Sequence, residues 1–179
     1  MCDKFIYLSA LKGLRKIIIS EFTKCLIFLT GIGVLSLFLG KEIPRHWVKP
    51  YKFPFNCFKW ENDGRIYEKI HIKRWKDRLP DMSRYLKSMI TKEIPSIRIS
   101  WQQLETLIYE SCIAEADHWV LMIAGFGCTY IWEGVGGFVV SVLWALGNLP
   151  FAVIQRYNRP NMKRIVLKLK AREMKRGQA

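Results

Sequence analysis

Three stretches of the sequence carry no charged side chain: residues 25–40, 119–132 and 134–154, which are 16, 14 and 21 residues long. A helix needs about 20 apolar residues to cross a hydrocarbon core, and the last stretch meets that length alone. As helices the first two reach only roughly 24 Å and 21 Å, against a core of about 30 Å. The second must therefore draw in residues upstream. A span ending at Trp132 begins near Cys112, and it brings Glu115, Asp117 and His118 to the membrane boundary. Glu133-Gly134, with Gly136 and Gly137 close behind, predicts a tight turn between the second and third stretches. Residues 101–154 are thus expected to form a long helix leading into a two-helix transmembrane hairpin.

Ahead of the first stretch, Phe5, Ile6, Leu8, Leu11, Leu14, Ile17 and Ile18 are interleaved with Lys12, Arg15 and Lys16, the pattern of a helix lying along a membrane interface. Residues 1–40 then form an N-terminal anchor, either a span or a re-entrant helix. No small-x-small cleavage site follows the apolar run, so the anchor is expected to stay uncleaved. Residues 41–100 are polar and aromatic, punctuated by Pro44, Pro50, Pro54, Pro80 and Pro95, with a turn at Asn62-Asp63-Gly64, and they predict a small extramembrane loop module. Within it, Ile70-His71-Ile72-Lys73 alternates as a short strand or extended segment does, and Asp81 after Pro80 is expected to cap a short helix through Thr91. Ser100-Trp101-Gln102-Gln103 reads as a capping box that opens the long helix. Pro160 is expected to limit the last helix, leaving residues 155–179 as a basic tail. The fold class is an all-α integral membrane protein with a small irregular or mixed module.

Charge fixes the orientation. The chain is half hydrophobic yet carries a net charge of +14. Of its 29 Lys and Arg residues, five precede the first apolar stretch, fifteen lie between it and the hairpin, and nine follow the last stretch. Basic flanks around apolar spans suit an anionic membrane surface, and a hairpin places both the module and the tail in the cytoplasm, with Glu133 facing outward. These cations border spans and form no separate basic face, which argues against nucleic acid as a partner. The five cysteines include no Cys-x-x-Cys pair, so neither a zinc knuckle nor a disulfide framework is indicated. A multi-pass membrane protein with its module and tail at the cytoplasmic face is expected.

Three constellations are candidates for chemistry. On the long helix, Glu110, Ala114 and His118 fall on one stripe, and Glu115 lies one turn before His118. A carboxylate beside an imidazole makes a better general base, and ionisable groups at membrane depth are functional candidates by default. A metal site built from Glu110, Glu115 and His118 competes with this reading, as does a set of boundary residues in a non-catalytic adaptor. At the exit of the last span, Arg156 and Arg159 share a face and suit the phosphate of an acyl donor or an anionic headgroup, and Asn158 beside them can supply an oxyanion hydrogen bond. In the module, Lys73-Arg74-Trp75-Lys76 suits either an interface-docking loop or a further anionic site.

The chain resembles the glycosyl-4,4'-diaponeurosporenoate acyltransferases of staphyloxanthin-type carotenoid biosynthesis. The likeness is carried by Ile43-Pro44, Phe58-Lys59-Trp60-Glu61 with Gly64, Lys73-Arg74-Trp75-Lys76, Glu110 with Ala114-Glu115 and His118-Trp119, and above all Gln155-Arg156-Tyr157-Asn158-Arg159-Pro160. It implies a membrane-bound transferase that esterifies a sugar hydroxyl of a glycosylated carotenoid or related glycolipid. The fatty acyl donor would be acyl-CoA or a carrier-linked chain, with no further cofactor. His118 is expected as the base, oriented by Glu115 or Glu110, with Arg156, Arg159, Arg74, Lys73 and Trp75 toward the donor and membrane lipid as surroundings.

Overall fold

In a computed structural model the described residues, 2–79 and 100–177, are mostly helical and contain no strand. Five α-helices follow in order: α1 (Cys2–Glu42), α2 (Ile72–Trp75), α3 (Trp101–Ala124), α4 (Cys128–Ile131) and α5 (Val135–Gly177), with short 3-10 turns between them. The chain divides into two compact units. The predicted helix from Asp81 to Thr91 lies outside the described residues.

The first unit comprises Met1–Lys41 and Trp119–Leu149. Its interior is small: Cys25 and Leu29 of α1 pack with Cys128, and Phe28, Trp132 and Trp144 close over them. Glycines let these aromatics in. A Cβ on Gly125 would stand 2.2 Å from the Trp144 ring, and one on Gly127 would stand 2.6 Å from Phe28. The same pair ends α3, which yields to a 3-10 turn at Gly125–Gly127 before α4. The expected unbroken helix from Cys112 to Trp132 is therefore corrected to two pieces. The Trp144 indole N–H donates to the Leu121 carbonyl at 2.9 Å, one of the last carbonyls of α3. Gly134 makes the predicted turn, with φ +89°.

Of the two forms expected for the anchor, α1 takes that of one continuous helix, Cys2–Glu42. Among the described residues, two segments are long and apolar enough to cross a membrane, 12–42 and 135–176, and their apolar side chains are mostly left uncovered: Ile27, Phe38, Val135 and Leu143 are all well exposed. Apolar helices that bury little against their own chain are suited to lipid.

The second unit comprises Glu42–His118 and Pro150–Ala179. Leu104, Leu107 and Ile108 of α3 pack with Val166 of α5, flanked by Met162 and Leu169. This contact answers the Pro160 expectation, which is corrected: α5 runs through Pro160 to Gly177. A mid-helix proline costs about 3 kcal/mol. Burial of Val166 against α3, together with the Lys170–Glu105 ion pair at 2.6 Å, holds the turns beyond it. The predicted capping box is present: Ser100 Oγ accepts from the Gln103 N–H at 3.2 Å, and Gln103 Oε1 accepts from the Ser100 N–H at 2.9 Å.

The strand expected at Ile70-His71-Ile72-Lys73 is absent. Arg65–Ile70 is a 3-10 helix, His71 turns the chain at φ 53°, and α2 begins at Ile72. Among the described residues there is no second strand to pair with, and Ile72 gains more by complete burial against Tyr67 and Tyr157. Asn62, Asp63 and Gly64 form the expected turn, all three at positive φ.

Candidate active site

The second unit folds around four charges, three buried and Arg156 nearly so. Glu61 comes from the loop module, Glu115 from α3, and Arg156 and Arg159 from one face of α5. Arg156 makes the centre. Its Nε donates to Glu61 Oε1 at 2.6 Å and its Nη2 to Glu61 Oε2 at 2.8 Å, while Nη1 donates to Glu115 Oε1 at 2.6 Å. The carbonyls of Pro54 and Asn56 accept its two remaining N–H groups, at 3.3 and 3.1 Å. A guanidinium has five donors, so every one of Arg156 has an acceptor. Arg159 donates from Nη2 to Glu115 Oε2 at 2.6 Å and to the Ser111 carbonyl at 3.2 Å, and from Nη1 to the Phe55 carbonyl at 2.7 Å.

Two carboxylates against two guanidiniums give a neutral quartet, which is how four charges tolerate burial. Glu61 is 1% exposed and Glu115 is 2% exposed. Local structure presents Glu61: it closes the 3-10 turn Lys59–Glu61 and accepts from the Phe58 N–H at 2.6 Å and from the Tyr67 hydroxyl. Burial works to raise the Glu61 carboxyl, but the hydrogen bonds from Arg156, Tyr67 and Phe58 outweigh it and hold the group below its ordinary value. Burial and the facing Glu61 carboxylate push the Tyr67 phenol up. Gly64, at φ +85°, brings the turn against α5, where a Cβ would meet the Tyr157 carbonyl at 3.3 Å. The Arg156 guanidinium also lies 4.6 Å from the Phe58 ring centroid.

Against this quartet opens a cavity of about 470 Å³, within the range of small-molecule sites. Its wall includes Tyr51, Phe55, Asn56, Arg159, Lys163 and Arg164. Two buried atoms of the wall have no protein partner, Asn56 Oδ1 and Arg159 Nε. Cys57 stands in the same wall, and burial together with Glu61 raises its thiol, so it is no ready thiolate nucleophile.

The structure brings the other expected residues together only in part. His118 is half-buried and stacks on Phe151 of α5, with ring centroids 5.0 Å apart and planes 18° from parallel. Glu115, one turn earlier on α3, turns both carboxylate oxygens to arginines. Glu110 and Asn158 are half-buried on α3 and α5. Lys73 pairs with Glu68 at 2.7 Å in solvent, and Trp75 donates its indole N–H to the Ile70 carbonyl at 2.9 Å and packs beside Tyr67, Ile72 and Tyr157. Arg74 is exposed, and none of these three borders the cavity. Among the described residues no three His, Cys, Asp or Glu side chains are grouped to hold a metal ion. The sequence pattern gave no site role to Asn56, Lys163 or Arg164, and Glu61 entered only within the family likeness. Glu61 was the one with a visible signal, as an acid set among the aromatics of Phe58-Lys59-Trp60.

The segments that converge here are those by which the sequence resembles a known family. The family model described as glycosyl-4,4'-diaponeurosporenoate acyltransferase matches residues 44–168, which include all four quartet residues, His118 and the cavity. Curated enzymes of that description from Staphylococcus aureus strains N315 and MRSA252 are 26% and 27% identical over 138 and 139 residues, covering 75% of this chain and 81% of theirs. No solved structure matches. The chain is an acyltransferase. It belongs to the glycosyl-4,4'-diaponeurosporenoate acyltransferase family.

Proposed function

We propose that the protein is a membrane-bound enzyme that moves a fatty acyl group from a thioester donor to a sugar hydroxyl of a glycosylated terpenoid, of the class named for its Staphylococcus relatives. The observation that carries this reading is the convergence of three distant segments, around Glu61, Glu115 and Arg156, on one buried quartet beside a cavity. A charge network of this cost, beside an open volume and with His118 one helical turn beyond Glu115, suits a preorganised site. The uncovered apolar faces of α1 and α5 support membrane insertion, and the Lys and Arg distribution supports a hairpin with the module and the α5 tail in the cytoplasm.

In the reaction, the sugar oxygen attacks the thioester carbonyl, the C–O bond forms and the C–S bond breaks. His118 takes the hydroxyl proton and returns it to the departing thiolate, so that ester and free thiol leave with the charge balanced. Phe151 fixes the imidazole plane by stacking. Glu115 is a positioning residue: by tying α3 to Arg156 and Arg159 of α5, it sets the height of His118 one turn further on. The reading is tested by mass spectrometry of lipid extracts from cells with and without the protein. A glycolipid heavier by one acyl group, present only with the protein, is the expected result, and unchanged extracts with an inserted, folded protein exclude it.

A further inference from the structure

Arg156 and Arg159 look in sequence like an anion site, but the fold spends them on Glu61, Glu115 and backbone carbonyls. A phosphate needs donors that are free. The next turn of α5 offers them: Lys163 and Arg164 are exposed at the cavity wall. Lys163 Nζ rests 4.7 Å from the Tyr51 ring centroid, and Arg164 gives one guanidinium nitrogen to Asn161 Oδ1 at 2.7 Å, which leaves the rest of its fork available. With the quartet neutral, the wall's remaining charges are these two cations against Asp63 alone. Deeper in the wall, Asn56 Oδ1 lacks a donor and Arg159 Nε lacks an acceptor. Buried groups without partners are costly, and an amide supplies both a donor and an acceptor at once.

We infer that this cavity seats the polar end of a phosphopantetheine-type thioester donor, with Lys163 and Arg164 binding its phosphate and the Asn56–Arg159 wall facing its amide-bearing arm. The inference rests on the acyltransferase reading above. Lys163 lies twelve residues beyond Phe151, about 18 Å along α5. An extended pantetheine arm bridges such a separation, so phosphate binding at Lys163 and Arg164 leaves the thioester able to reach the imidazole stacked on Phe151. The shared chemistry, a phosphate ester, is also that of anionic lipid headgroups, and the test separates the two sources.

The full chain is reconstituted in nanodiscs of pure phosphatidylcholine, and in others containing phosphatidylglycerol, and coenzyme A binding is measured by calorimetry. Wild type is expected to bind coenzyme A in phosphatidylcholine, and Lys163→Glu/Arg164→Glu to bind it about tenfold or more weakly, the loss of at least one charge-assisted contact. Lys168→Glu, exposed on the same helix and outside the cavity wall, is the charge control and should bind as wild type does. In acyl-transfer assays the double variant should raise KM for acyl-CoA by a similar factor with kcat little changed. Equal coenzyme A binding by wild type and the double variant overturns the inference. So does an effect of the double variant confined to phosphatidylglycerol discs, which would assign the cations to lipid. Wild-type acyl transfer with an unaltered KM in the double variant sinks this inference alone, whereas binding lost as expected without any acyl transfer sinks the reaction reading alone.

Discussion

Arg156 and Glu61, 95 residues apart in sequence, meet fork to fork, Nε to Oε1 at 2.6 Å and Nη2 to Oε2 at 2.8 Å. Such a pair stabilises little net of its desolvation, but breaking it from one side strands a buried charge. Arg156→Ala leaves Glu61 without its guanidinium and Glu115 with one in place of two, so it should cost about 3–5 kcal/mol. Arg156→Lys keeps the charge and loses the fork, and should fall between it and wild type. Arg159→Ala should likewise show as lost stability before it shows in substrate binding. Thermal unfolding in detergent checks the order. A wild-type midpoint for Arg156→Ala would mean that the quartet does not hold the second unit together.

Acid should open the same site. The Glu61 carboxyl sits below its ordinary value in the fold, so its contribution to stability is complete above the unfolded value of about 4.5. That contribution is lost as pH falls from there through the lower folded value, because protonation then favours the unfolded chain. Tyr67 behaves in the opposite sense. Its phenol is raised, so its share is complete below about pH 10 and is lost as pH climbs above that. Unfolding midpoints followed across pH should show a steep acid limb in wild type that Glu61→Gln flattens, and an alkaline limb that Tyr67→Phe flattens.

Two glycines at similar backbone angles should respond differently to alanine. Gly64 at φ +85° and Gly134 at φ +89° both pay for a left-handed side chain, about 1–3 kcal/mol. Only Gly64 also has a neighbour within reach, the Tyr157 carbonyl at 3.3 Å, while nothing lies within 4 Å of Gly134. Gly64→Ala should therefore destabilise more than Gly134→Ala, and parallel melts of the two variants decide it.

What was legible in the sequence was what depends on local pattern. The apolar stretches, the Asn62-Asp63-Gly64 turn, the Gly134 turn and the Ser100–Gln103 capping box need only neighbours within a few residues. Where tertiary packing outbids local preference, the sequence misled. Pro160 should end a helix, yet Val166 and its neighbours gain enough against α3 to continue it. Ile70-His71-Ile72-Lys73 alternates like a strand, yet Ile72 is buried from a helical turn. At the site, residue types were visible but partners were not. Glu115 pointed to a role at depth, and only the fold shows that the role is with Arg156 and Arg159, because those contacts close loops of more than forty residues.

The Lys and Arg distribution predicts that Asp63 and Lys170 lie on the same, cytoplasmic side of the membrane. Single cysteines at the two positions, in a background lacking all five native cysteines, should both react with a membrane-impermeant maleimide in inside-out vesicles and resist it in intact cells. Opposite labelling of the two positions would exclude the cytoplasmic assignment of the module and the tail.

The last expectation concerns His118 itself. A sugar hydroxyl is a poor nucleophile near neutral pH, and a positioned base is worth roughly 10²- to 10⁴-fold, so His118→Ala should lose ester formation by that factor while the protein still inserts and folds. Stacking on Phe151 gives a second handle. Phe151→Leu leaves the imidazole present and frees its plane, and it should lower kcat by less than the histidine deletion, with KM for donor little altered. Chelators should leave wild type untouched, because the proposed step runs through a proton and not through an ion. Inactivation by chelation with recovery on added zinc or manganese would instead return Glu110, Glu115 and His118 to the role of ligands. Wild-type turnover in a purified His118→Ala enzyme would move the base elsewhere, and the half-buried polar groups of α3 and α5 nearest the cavity would be the next to replace.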